Sequence, residues 1–147
     1  MKLLLVRDEP KGGVGGYTQL KISDISNIDK ASCDEIIVGD ILDYYPNKGK
    51  LFQQIIEKLR YGGVIHISGI DLNFLCNEYV NGYITPADMI NLLYNGKISI
   101  DTLQGIIAMC KHHNLEIVIE DISGQNYIVS AQRIKNGTAN QQDTHTL

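Results

Sequence analysis

Residues 115–131, LEIVIEDISGQNYIVSA, hold two apolar, β-branched runs at 116–120 and 127–131. Ser123-Gly124-Gln125-Asn126 between them is turn chemistry. Two strands joined by a four-residue turn pair antiparallel. Upstream of this hairpin, strands alternate with helices, which predicts a mainly parallel sheet with helices on both faces. The expected fold class is therefore α/β, Rossmann-like, closed by a C-terminal antiparallel hairpin.

The upstream elements follow from periodicity. Leu3-Leu4-Leu5-Val6 is a continuous apolar run stopped by Arg7-Asp8-Glu9-Pro10, the pattern of a buried strand. A glycine cluster at residues 12–16 precedes a β-rich alternation over 17–22. Residues 23–33 are polar and read as a connection. Glu35-Ile36-Ile37-Val38-Gly39 and Val64-Ile65-His66-Ile67 read as further strands. Between them, residues 48–60 place Leu51, Phe52, Ile55, Ile56 and Leu59 on one helical stripe. Tyr61-Gly62-Gly63 then supplies a glycine stop. Helices are expected over 73–81, 86–94 and 101–113, the second opened by Thr85-Pro86. One domain is expected over 1–134, followed by a disordered polar tail over 135–147.

Composition narrows the function. A net charge of −4 and the lack of a basic run give no pull toward nucleic acid or an anionic membrane. Cys33, Cys76 and Cys110 form no CxxC pair, so neither a disulfide framework nor a metal site is indicated. The N-terminal apolar run is too short for a signal peptide core. A soluble, cytoplasmic protein is expected. Walker, HExxH and Ser-His-Asp patterns are missing. The glycine cluster does not continue into Gly-Lys-Ser/Thr.

From residue 34 onward the chain resembles the class I S-adenosylmethionine (SAM) methyltransferase superfamily, in its short, type 11-like form. Ile41-Leu42-Asp43-Tyr44 stands where that family has V-L-E-H. Leu59-Arg60-Tyr61-Gly62-Gly63 is similar to its L-K-P-G-G, and Ile70-Asp71-Leu72 to its P-D-L. In the family the first strand runs into a glycine loop that lies against SAM, where only glycine allows so close an approach. Here that place reads Val6-Arg7-Asp8-Glu9-Pro10, and the glycines arrive several residues late. Aligning Gly16-Tyr17 with the family's G-Y puts Lys21 where an acidic residue would accept the ribose hydroxyls. Lysine only donates.

The resemblance thus implies a methyltransferase-like protein with a degenerate cofactor motif and impaired or lost SAM binding, acting as a binding or assembly module. The alternative is an active methyltransferase on a small molecule, sugar or macromolecule, with the glycine loop rebuilt. In that case Gly13, Gly15, Gly16 and Asp40 are the cofactor contacts, and Asp43, Tyr44 and Asp71 the substrate-pocket candidates. No catalytic residue is assigned. Each candidate also has a structural reading: turn or cap for the aspartates, packing for Tyr44, and a packed histidine for His66. The family's third strand finds no counterpart, which leaves a sheet edge for a partner or a second copy to cover.

Overall fold

The computed structural model describes residues 1–12, 14–93 and 95–135. Gly13 and the polar tail from residue 136 lie outside these. Six strands form one sheet: β1 (Lys2–Val6), β2 (Thr18–Lys21), β3 (Cys33–Gly39), β4 (Leu59–Ile70), β5 (Leu115–Ser123) and β6 (Asn126–Arg133). Their order is β2-β1-β3-β4-β6-β5. Pairing is parallel from β2 to β4, and antiparallel where β6 meets β4 and β5. The parallel sheet and its C-terminal hairpin are as the periodicity predicts.

Helix cover, expected on both faces, is concentrated on one. Helix α1 (Lys48–Lys58) buries Phe52, Ile55 and Ile56, and α4 (Leu103–His112) buries Ile106, Ile107 and Cys110. These pack into one core with Leu3, Leu5, Ile36, Val38, Ile65, Ile67, Val129 and Ala131 of the strands. The side chains in between, Leu4, Val6, Ile37, Val64 and His66, point to the opposite face and are only partly buried. The remaining helices, α2 (Leu72–Val80) and α3 (Pro86–Leu93), pack chiefly on each other. Among the described residues no helix is long and apolar enough to cross a membrane.

Two local expectations are corrected. Residues 23–33 are not all connection, because Ile22–Asn27 forms a 3₁₀ helix that buries Ile22 and Ile25 in the core. Three residues per 3₁₀ turn put those two isoleucines on one side. The second correction concerns the end of α1, which stops at Lys58 rather than at the glycine pair. Leu59 already has extended backbone and is buried opposite Cys33, so β4 runs through Tyr61-Gly62-Gly63. The glycines serve a bulge there. A Cβ on Gly63 would lie 2.8 Å from Leu59 Cδ1 and 3.0 Å from Asp34 O.

Candidate functional site at the carboxyl ends of β1 and β3

The strand order reverses at β1, which leads to β2 on one side and has β3 on the other. The carboxyl ends of β1 and β3 therefore flank a crevice, the usual ligand position in an open α/β sheet. A cleft of about 430 Å3 opens there, lined by Leu4, Val6, Arg7, Gln19, Asp40 and Tyr44 among others. This volume lies within the range of small-molecule sites. Arg7, directly after β1, places its guanidinium 3.9 Å from the centroid of the Tyr44 ring. The stack thus bridges the two sides of the crevice. Gly96 backs it: a Cβ there would sit 3.5 Å from Tyr44 Cε1 and 3.7 Å from Arg7 Nη1.

Beside the cleft lies a cluster of charges. Lys97 Nζ is 3.2 Å from Asp40 and 3.6 Å from Asp43, and Lys48 Nζ donates to Asp43 at 2.9 Å and to Asp101. Asp43 is buried, and one of its carboxylate oxygens, Oδ2, has no hydrogen-bond partner. Burial pushes its pKa up, against the pull of Lys48 and Lys97. Burial opposes the charge on Lys48 as well, but Asp101 and Asp43 outweigh it and leave its pKa raised. The Asp43 carbonyl accepts from the amides of Ile98 and Ser99, so this residue ties down the segment that follows α3.

The sequence candidates separate. Asp40 and Tyr44 line the cleft. Asp43 is a buried tie, and Asp71 is a cap whose carboxylate accepts from Phe74 N at 3.1 Å and from Leu103 N at 2.9 Å. Gly15 and Gly16 form a tight turn closed by Tyr17 N to Val14 O at 2.9 Å, and neither lines the cleft. Both have positive φ, 51° and 85°, which accounts for glycine there. Gly13 lies outside the described residues. Lys21 pairs with Glu9 at 2.8 Å. Sequence reading passed over Arg7 as a stacking partner, and Lys48, Lys97 and Asp101 altogether. Except for Lys48 and Asp43, five residues apart, their partners are far away in the chain.

A second polar group sits mid-sheet on the open face. His66 Nδ1 is 2.7 Å from Ser130 Oγ and His66 Nε2 is 2.9 Å from Glu35 Oε1. Tyr17 donates to the same Glu35 oxygen at 2.6 Å, and Lys2 lies 3.1 Å from the other. Ser130 is buried, and its hydroxyl is hydrogen-bonded to His66. Among the described residues no group of three His, Cys, Asp or Glu side chains could hold a metal ion.

No family model matches the chain, and no curated protein matches it in sequence. Many solved structures match it in shape. A SAM-dependent methyltransferase from Methanosarcina mazei superposes with a TM-score of 0.56 at 13% identity, over 86% of this chain and 71% of that one. An O-methyltransferase family protein from Burkholderia thailandensis gives 0.57 at 15% identity, over 82% of this chain and 36% of that one. The chain has a methyltransferase-like fold. A third match is the 1,6-didemethyltoxoflavin N1-methyltransferase of Burkholderia thailandensis, described with bound S-adenosylhomocysteine. It gives 0.52 at 14% identity, over 76% of this chain and 48% of that one. This methyltransferase-like chain thus spans about a third of the first two structures it matches, 36% and 35% of their lengths.

Proposed function

We propose that this methyltransferase-like chain does not hold SAM and works as a binding or assembly module. The observation that carries the reading is the connection from β1 to β2. Its described residues form no helix, so none of them offers a helix N-terminus whose amides point into the cleft. In its place stand Arg7 on Tyr44 and the Lys21–Glu9 ion pair. These residues do not fit the cofactor. A half-exposed cation–π stack is worth only ~1 kcal/mol, less than tenfold in affinity, so Arg7 by itself is a weak barrier. The larger deficit is the acceptor at the position of Lys21, since hydrogen bonds to a charged group contribute about 1.5–3 kcal/mol each. Lys21 offers only donors and pairs with one carboxylate oxygen of Glu9.

The alternative, an active methyltransferase on a small molecule, sugar or macromolecule, rests on one observation. Asp40 closes β3 beside a cleft of ligand size. Thermal unfolding with and without SAM separates the two readings. The proposal expects an unchanged midpoint at saturating SAM, whereas a clear upward shift would replace it with the alternative.

A further inference from the structure

At the amino end of the parallel strands, opposite the cleft, lies a second cavity. The carboxyl ends of α1 and α4 come together there with the start of β4 and the end of β6. The cavity measures about 350 Å3 and is lined by Gln53, Tyr61, His112, His113, Asn114 and Arg133 among others. That is small, but within the range of ligand sites. Its titratable side chains are a guanidinium, two imidazoles and a phenol, and no carboxylate lines it. The chain as a whole is acidic, with a net charge of −4, so the cavity runs against its average. The one acid of α1, Glu57, is paired with Lys30 at 3.5 Å.

Arg133 is set in place with donors to spare. Its Nη1 donates to the carbonyls of Ile56 and Leu59 at the end of α1, and its guanidinium lies 4.6 Å from the Tyr61 ring. Those carbonyls are the negative end of the helix dipole. A cation over them reverses the sign of the local field. Nε and Nη2 have no partner among the described residues, so part of the fork remains open to an acceptor.

The imidazoles are oriented as well. His113 Nδ1 is 2.8 Å from Gln53 Oε1, and the ring stands edge-on to Phe52. An amide oxygen only accepts, so Nδ1 carries the proton. Nε2 is then bare in the neutral ring and becomes a second donor in the charged one. His112 packs nearly at right angles to it, 5.2 Å between ring centroids. Asn114 has a φ of 59°, the left-handed conformation that ends a helix and that asparagine tolerates.

The ligand class follows from this donor set. A cation would meet Arg133 and no carboxylate. An apolar group would leave the open guanidinium N–H groups buried and unpaired. We propose that the cavity binds a small oxyanion, a carboxylate or phosphate group, between the open N–H groups of Arg133 and the imidazoles of His112 and His113. The site lies at the far end of the sheet from the cleft, so it stands whether or not the chain holds SAM.

Histidine ring resonances of the full chain test this, followed by NMR during titration with sodium phosphate and, separately, sodium acetate at constant ionic strength. The expected result is saturable shifts at His112 and His113, half-complete at ~0.1–10 mM, with His66 on the open sheet face unmoved. Saturation by either salt supports the site, and the tighter of the two names the source of the anion. Shifts that stay linear, match those given by chloride, or appear equally at His66 would overturn it. Arg133→Gln should weaken binding about tenfold or more, but it also uncovers the end of α1. His112→Gln removes an exposed ring and keeps the fold, and should weaken binding about threefold, read at His113. Undiminished affinity in that variant would contradict the proposal. Sulfate, whose charge is constant near neutral pH, supplies the last arm. Burial and His112 hold the His113 pKa below its ordinary 6.5 in the free protein. A bound anion favours the charged ring, so sulfate affinity should rise about threefold or more as pH falls from about 7.5 to about 5.5. An affinity independent of pH would overturn the site as proposed.

Discussion

Glu35 is surrounded by donors on the open sheet face. The Tyr17 hydroxyl, with Lys2 and His66, lowers its carboxyl from 4.5 to about 2 against the opposing effect of burial. A folded-state pKa below the unfolded value gives stability that is present above about 4.5 and lost as pH falls toward about 2. Glu35→Gln should therefore cost ~1 kcal/mol at neutral pH and flatten the acid limb of stability against pH. Urea melts across that window check this, and parallel curves for the two proteins would contradict it. Gly69 presents a steric case. A Cβ there would meet the Tyr127 hydroxyl oxygen at 2.7 Å, and that ring is buried. Gly69→Ala should destabilise by ~1–3 kcal/mol in the same assay. Arg7 tests the cleft: because its stack is worth so little, Arg7→Ala should leave a titration with S-adenosylhomocysteine as flat as the wild type.

Among the elements, Asp71 connects the most structure. One carboxylate caps α2 through Phe74 N and holds the start of α4 through Leu103 N, so two helix entries depend on it. Asp71→Ala should cost ~2 kcal/mol, and Asp71→Asn should recover part of that, both measured by chemical denaturation. The sequence made Asp71 legible as a cap on the helix that follows it. The bond to Leu103 was not legible, because 32 residues separate the partners. The end of α1 shows a different limit. Gly62-Gly63 does mark a place that calls for glycine, but the causes are a positive φ at Gly62 and a close approach at Gly63 within β4 rather than a helix cap, and a local pattern cannot tell these apart.

At the scale of the whole molecule, the parallel order and the closing hairpin were legible because buried strands and turn residues are local signals. The bare face was legible only in part, because Leu3-Leu4-Leu5-Val6 and Ile36-Ile37-Val38 are continuous apolar runs that predict cover on both sides. Strands buried on both sides read as continuous apolar runs, whereas Val64-Ile65-His66-Ile67-Ser68 alternates, as Glu35-Ile36 does in β3. That alternation marks a face built for water or for a partner, and the partly buried side chains of the fold agree. Asp40 and Tyr44 were legible as cleft residues because they follow the carboxyl end of β3. The Arg7–Tyr44 stack was not, since it depends on how two loops meet.

The central claim, a methyltransferase-like fold that does not hold its cofactor, is tested most directly by calorimetric titration of the purified chain with S-adenosylhomocysteine. The account predicts no binding heat at high protein concentration. Micromolar binding would contradict it and show that the displaced glycine loop holds the cofactor after all.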